Sequence, residues 1–280
     1  MGPASTRRVS ESHNGHRTAH TTRIAAVGDL HCTVDAKGRL RELFTRASQE
    51  ADVIALCGDL TDYGLPEEAH VLAGELVGAR VPVVGVLGNH DHESGKQVEV
   101  AQILTGAGMK VLDGDAVQLA GIGFAGTKGF AGGFDLHSLG AWGEAATKAF
   151  VQAAIDEAMK LEAGLARLRT RSRVALLHYS PISGTVRGEP EQIYPFLGSS
   201  RLEDPIDRMA VSAVFHGHAH HGAAEGRTKN GVPTYNVSLP LLLASGPRAT
   251  PFRLVELAVD QDAADAAEHE LTPVRARTRG

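Results

Sequence analysis

The chain has 280 residues, 42% of them hydrophobic and 22% charged, with a formal net charge of −5 and only 5% aromatic side chains. This supplies enough apolar material for one globular domain of generous size, and the lack of a long uninterrupted apolar segment argues against a membrane-spanning helix. The mildly acidic balance, without a concentrated basic block, speaks against nucleic-acid or membrane binding driven by general electrostatics.

Residues 1–21 mix Arg, Ser, Thr, His and Gly with no apolar stretch, so they read as a disordered tail rather than a secretory signal. His13, His16 and His20 in that tail read as solvated. Thr22–Val27 then reads as a first strand, running straight into Gly28-Asp29-Leu30-His31. If the backbone stays extended there, Asp29 and His31 project to one side and can reach a single metal ion. Leu40, Leu43, Phe44 and Ala47 fall at helical spacing, and the apolar run 52–57 ends in Gly58-Asp59-Leu60-Thr61-Asp62. Pro66-Glu67-Glu68 has the proline and acidic first turn of a helix that runs to about Gly78. A third apolar run, 81–87, ends in Gly88-Asn89-His90-Asp91. Strand, helix, strand, helix, strand with strands apolar on both faces predicts a mainly parallel sheet covered by helices, with ligands bound beyond the carboxyl ends of the strands.

Further on, residues 98–107 read as a helix, 117–124 as one strand and 126–133 as a glycine-rich loop beside the site that matches no phosphate-binding pattern. Residues 141–169 form a long Ala-rich helical stretch. The short apolar run 174–177 ends in His178, and 179–204, carrying Arg187 and Tyr194, reads as a long loop. The run 211–215 ends in His216-Gly217-His218-Ala219-His220-His221, and 232–237 and 252–259 supply further strands. His216/His218 and His218/His220 have the same spacing, so spacing alone does not choose between them. Cys32 and Cys57 form no CxxC pair or disulfide framework, which points to a reducing, cytoplasmic location and to a role as small buried fillers, with a single bridge between them left open by the sequence. The expected organisation is a tail over 1–21, one domain over 22–262 and a second tail over 263–280.

Five apolar runs thus stop at Asp29/His31, Asp59, Asn89/His90, His178 and His218/His220. The ordered set of Asp-x-His, Gly-Asp, Gly-Asn-His, a lone His and Gly-His-x-His resembles the calcineurin-like metallophosphoesterase superfamily over roughly residues 24–238. The resemblance implies a four-layer α/β sandwich of two central mixed β-sheets flanked by helices, with a binuclear metal site at the strand ends. It implies Asp59 as the bridge between two divalent or trivalent transition-metal ions, with Asp29, His31 and His220 completing one site and Asn89, His178 and His218 the other. Nitrogen and oxygen donors of this kind suit Mn, Fe or Zn rather than thiolate-seeking metals. The implied chemistry is attack by a metal-bridging hydroxide on a phosphate ester, with His90 as general acid and Asp62 as the carboxylate that orients it. The alternative for Asp62 is a turn cap.

Family protein phosphatases usually carry an Arg soon after the second aspartate of the Gly-Asp block, whereas Tyr63 and Gly64 follow Asp62 here. The first expectation is therefore a phosphodiesterase acting on small substrates such as cyclic nucleotides, with Arg187 and Tyr194 as substrate contacts. A nucleotide pyrophosphatase or a phosphomonoesterase is the enzymatic alternative. A non-catalytic metal-binding scaffold is the alternative of another class. Small phosphate esters are the expected partners, membranes and nucleic acids are not, and the sequence leaves a homodimer open.

Overall fold

The central strands β2, β3, β6 and β8 are buried on both faces because the molecule holds two sheets back to back, each with its own helical cover. The computed structural model describes residues 20–244, 246 and 249–259. The rest of both expected tails, with His13 and His16, lies outside the described residues.

The first half of the chain forms β1 (Thr21–Val27), α1 (Arg41–Glu50), β2 (Val53–Cys57), α2 (Pro66–Glu75), β3 (Val83–Val86), α3 (Gln97–Gly106) and β4 (Lys110–Val111). It continues through β5 (Asp115–Leu119), β6 (Ile122–Gly126), α4 (Ala145–Arg167), β7 (Arg173–Leu176), α5 (Tyr194–Leu197) and α6 (Glu203–Arg208). The last elements are β8 (Ala213–His216), β9 (Glu225–Arg227), β10 (Pro233–Asn236), α7 (Leu239–Leu243) and β11 (Arg253–Ala258). One sheet has the order β11-β1-β2-β3-β4, and the other β5-β6-β7-β8-β10-β9. The successive pairs from β1 to β4 and from β6 to β10 are parallel, while β11, β5 and β9 add antiparallel edges, so both sheets are mixed.

The period of two along each strand explains the layering. Ile24, Ala26, Val53 and Ala55 meet Ile122, Phe124, Val174 and Phe215 in a core between the sheets. Their neighbours Ala25, Val27, Ile54 and Leu56 face outward onto Leu43, Phe44, Leu72 and Leu104 of the first three helices. On the far side Ala125, Ala175 and Val214 pack against Leu161 and Leu165 of α4 and Ile206 of α6. Each fully buried Leu, Ile or Phe contributes roughly 1.5–3 kcal/mol, so the sheet-to-sheet spacing is held by many independent contacts.

The two sheets are also stitched at the end where the ligand loops emerge. The Gly28 N–H donates to Val237 O at 2.9 Å, and the Leu239 N–H donates to Gly28 O at 3.0 Å.

Two expectations need correction. The single strand read over 117–124 is a hairpin, in which Leu119 pairs with Ile122. Ala120 and Gly121 between them take φ of 47° and 78°, the two-residue turn whose twist matches its flanking strands. Val117, Leu119, Ile122 and Phe124 nonetheless all face the inter-sheet core, which is why the turn left little trace in the apolar pattern. The stretch 179–204 is not an irregular loop either. It folds into single 3-10 turns at Ser183–Thr185 and Glu191–Ile193, then α5 and the start of α6. Among the described residues no helix is long and apolar enough to cross a membrane.

Candidate metal centre

Asp29 and His31 lie just beyond β1, Asp59 and Asp62 beyond β2, Asn89 and His90 beyond β3, His178 beyond β7, and His218 and His220 beyond β8. All are at carboxyl ends of parallel strands. The backbone is strained at these points. Of the seven non-glycine residues with positive φ among those described, four are Asp29 (55°), His31 (44°), Asp59 (48°) and His218 (70°). Such conformations cost on the order of 1 kcal/mol or more each and persist only where surroundings fix them.

Here the loops fix one another: Asp29 N–H donates to Gly58 O at 2.9 Å and His31 N–H to Asp59 O at 3.0 Å. Asp91, fully buried, accepts hydrogen bonds from the N–H groups of Leu60, Thr61 and Gly88 and from the Thr61 hydroxyl. It clamps the second loop to the third. Glycine is needed where carboxylates press on backbone: a Cβ on Gly88 would lie 2.0 Å from Asp59 Oδ1, and one on Gly217 2.2 Å from Asp29 Oδ2.

The seven expected ligands converge. His220 Nε2 lies 2.9 Å from Asp29 Oδ1. His178 Nε2 lies 2.7 Å from Asn89 Oδ1 and 3.1 Å from His218 Nδ1. Asp59 sits between these groups, with Oδ2 4.0 Å from His31 Nε2 and Oδ1 3.3 Å from His178 Nε2. Three sets of donor atoms each fall within 4.8 Å of one another: Asp29/His31/His220, His31/Asp59/His90, and Asp59/His178/His218.

Outer partners decide which imidazole nitrogen faces inward. His178 Nδ1 faces Cys57 O at 3.0 Å, and His218 Nε2 faces Phe196 O at 3.2 Å. Each carbonyl takes an N–H, so His178 Nε2 and His218 Nδ1 are the nitrogens that face each other, and a cation bound there would replace the proton on His178 Nε2. His31 Nδ1 lies 3.1 Å from Asp62 Oδ1, while its Nε2 is buried without a hydrogen-bond partner.

Burial would raise the Asp59 carboxyl, but His178 and the His90 N–H hold it well below the usual carboxylate range. Burial opposes the charge on His178, yet Asp59 and Asp29 raise its pKa to about 9. Burial and the charge on His178 push His218 down to about 3. Two nitrogens facing each other beside a carboxylate, with a third orphaned at His31, are groups that a cation satisfies. The donor set of imidazoles, carboxylates and one amide oxygen fits divalent transition metals.

The Asp62–His90 pairing is corrected. The Asp62 carboxylate contacts His31, and it is the Asp62 backbone carbonyl that meets His90 Nδ1, at 2.6 Å. A three-residue separation brings Asp62 within reach of His90 but does not say which of its oxygens will face the ring. His216 is buried at the end of β8 between Gly217 O and the Thr185 hydroxyl, and it lies outside the three donor sets.

Arg187 is exposed on a turn whose Glu189 accepts the His221 N–H at 2.7 Å. Tyr194 packs with Phe134, Val186, Leu197 and Ala219. Among the described residues no hydrogen bond joins either side chain to the ligands. Cys32 and Cys57 are buried free thiols, and burial pushes Cys32 up to about 12. Sequence reasoning missed the clamp made by Asp91, although a carboxylate directly after two polar site residues was a signal. The carbonyls of Cys57 and Phe196 have no side-chain signature to find.

A family model of the calcineurin-like phosphoesterase domain matches residues 22–222, and the chain belongs to this family. It is accordingly a metallophosphoesterase, an enzyme of phosphoester hydrolysis. The fold is similar to that of phosphopantetheinyl hydrolase from Mycobacterium tuberculosis, with a TM-score of 0.60 and 14% identity over 83% of this chain and 95% of that one. It is also similar to TT1561 of Thermus thermophilus, at a TM-score of 0.51 and 16% identity over 86% of this chain and 100% of that one. A third similar structure is GAP50, the anchor in the inner membrane complex of Plasmodium, at a TM-score of 0.51 and 14% identity over 85% of this chain and 81% of that one. At such identities the likeness is one of fold. Comparison with curated proteins gives no match.

Proposed function

We propose that the chain is a binuclear metal-dependent phosphodiesterase for small substrates, cyclic nucleotides among them. The observation that carries the binuclear reading is the Asp59 carboxylate, whose two oxygens face His31 on one side and His178 on the other. Asp29, His31 and His220 would hold one cation and Asn89, His178 and His218 the other, with Asp59 shared. Two such cations, when bound, neutralise phosphate charge and lower the pKa of a water to give a nucleophile near neutral pH.

The chain's own groups do the rest. The Asp62 carbonyl fixes His90 through Nδ1, which directs Nε2 toward the donor cluster, where it can deliver a proton to the leaving oxygen. The Asp62 carboxylate orients His31, and the Asp59 carboxylate is steadied by the His90 N–H at 2.9 Å. Charge favours a diester. Against two divalent cations, Asp29, Asp59 and a water that has lost its proton leave one net positive charge, which matches a monoanionic diester better than a dianionic monoester. Tyr63 and Gly64, where an Arg would serve a phosphoprotein phosphatase, support the same choice.

The test uses metal-stripped protein with Mn, Fe, Zn, Co or Ni restored singly, on paired aryl phosphate mono- and diesters. Metal-restored activity favouring the diester is expected, and monoester preference overturns the diester reading. His90→Gln should retain bound metal and slow hydrolysis by about 10²–10⁴, most for poor leaving groups. An equal loss for good and poor leaving groups removes His90 as the acid.

A further inference from the structure

Beside the donor cluster lies a cavity of about 450 Å³ between α3, β4 and the ends of β3 and β6. Its walls include Leu87 and Ala101, and its polar groups include Gln97, Lys128 and two carboxylates, Asp113 and Asp115, which Lys160 and Arg167 engage. The inner wall is shared with the metal centre. Leu87 runs directly into Gly88-Asn89, and His92 closes the 3-10 turn that begins at His90. The Lys128 carbonyl accepts the N–H groups of His178 and Tyr179, at 3.0 and 3.1 Å.

Two of the polar groups lack what they need. The Lys128 ammonium is held by a single carbonyl, Gly129 O at 2.8 Å, and rests over the rings of Phe130 and Tyr179. The Tyr179 ring in turn packs on His218, with centroids 4.5 Å apart. Of the carboxylates that act on Lys128, Glu157 and Asp113 are both engaged by Lys160, and the third, Asp59, belongs to the donor cluster. A three-donor cation with one acceptor is suited to an anion. Gln97 Oε1 is buried with no partner at all, and a buried acceptor left unmade is costly.

We propose that this cavity is the subsite for the non-leaving organic group of the phosphate ester. Lys128 meets a non-bridging phosphate oxygen and Gln97 Oε1 accepts an N–H or O–H from the group. The ligand class is a phosphate ester whose organic part has an apolar body and at least one hydrogen-bond donor, of a size that a cavity in the range of small-molecule sites can hold. The proposal rests on the phosphodiesterase reading above.

The test compares two diesters that share the p-nitrophenolate leaving group, thymidine 5′-p-nitrophenyl phosphate and methyl p-nitrophenyl phosphate, on metal-loaded protein. The thymidine ester should be preferred by about tenfold or more in kcat/KM, through KM, and Ala101→Phe, which fills the cavity, should reduce that preference to about twofold. Gln97→Leu, which keeps the volume and removes the acceptor, should weaken it by several fold.

Titration of metal-free protein with thymidine 5′-monophosphate supplies a readout independent of turnover, and binding should be lost in Ala101→Phe and in Lys128→Ala but retained in Lys128→Arg. Hydrolysis of both esters with equal kcat/KM, or a preference untouched by both α3 variants, overturns the subsite. No turnover of either ester, with nucleotide binding that Ala101→Phe abolishes, overturns the phosphodiesterase reading and upholds the cavity. Neither turnover nor binding overturns both.

Discussion

The two halves of the candidate metal centre differ in how deeply their imidazoles are set. His31 and His220 keep 23% and 34% of their side-chain surface exposed, whereas His178, on the other side of Asp59, keeps none. His178 is anchored through Cys57 O and His218 through Phe196 O, both backbone groups, while His31 is anchored by a half-buried side chain, Asp62. The half built around His178 therefore has an imidazole in the core of the fold, whereas the other half, although its Asp29 is buried, presents two partly solvated imidazoles, His31 and His220, laid over that core. The difference teaches that ligand loss has two costs, one in metal and one in folding, which need not fall on the same residue.

Asp59 is common to both halves, so its removal should have the largest effect. Asp59→Ala is expected to lose both metal equivalents and essentially all hydrolysis, read by metal analysis of the purified protein and by turnover. Retention of one full equivalent with that variant would break the picture of a shared carboxylate.

Next in size is the contrast between His178→Ala and His220→Ala. In metal-free protein the first should lower unfolding free energy by on the order of 3 kcal/mol, because it opens a buried space and strands Cys57 O. The second should cost about 1 kcal/mol or less, since its ring is partly solvated. Equal denaturant midpoints for the two variants would erase the distinction between core half and overlaid half.

His216 gives a pH test of the ground beneath the buried half. Its burial pushes the pKa down to about 4, against an ordinary value near 6.5 in the unfolded chain. The folded state thus binds fewer protons in that interval. Stability should be complete above pH 6.5 and decline as pH falls toward 4, a contribution on the order of 3 kcal/mol. Denaturant unfolding across pH 4–7 should show a shallower decline in His216→Gln, and an unchanged slope would assign the acid sensitivity to other groups.

The smallest expected effect is that of Asp62→Asn. It should weaken binding at the overlaid half by roughly 10–100-fold in metal affinity and leave the leaving-group dependence unchanged. A changed leaving-group dependence would return the carboxylate to His90.

Much of this site was legible because each ligand ends an apolar strand, and a strand that must be buried on both faces leaves a continuous apolar run that stops where chemistry begins. Asp29, His31, Asp59, Asn89, His90, His178, His218 and His220 all stand at such stops, and the structure gathers them. What was not legible depends on orientation or on backbone. Spacing could bring Asp62 near His90 but could not show that a carbonyl, not a carboxylate, would meet the ring. Ala120-Gly121 turns the chain between two short alternating runs, Val117/Leu119 and Ile122/Phe124, and only a one-residue slip in their phase marks the turn. Arg187 and Tyr194 belonged to a segment with no periodicity, and the structure gives Tyr194 an apolar setting and leaves Arg187 exposed. β4, β9 and α7 are two, three and five residues long, too short for a period to register.

The stitch at Gly28 has a mechanical meaning. The two sheets act as the jaws of a caliper, and the hydrogen bonds from Gly28 to Val237 and from Leu239 to Gly28 close them at the tips, where the gap being set is the one that each ligand set spans, with Asp29 and His31 facing His220 and Asn89 facing His178 and His218. Prying the tips apart would require breaking strand-like bonds in the interior before any ligand moved. Amide exchange at Gly28 and Leu239 should accordingly be among the slowest in the chain, close to the rate for global unfolding.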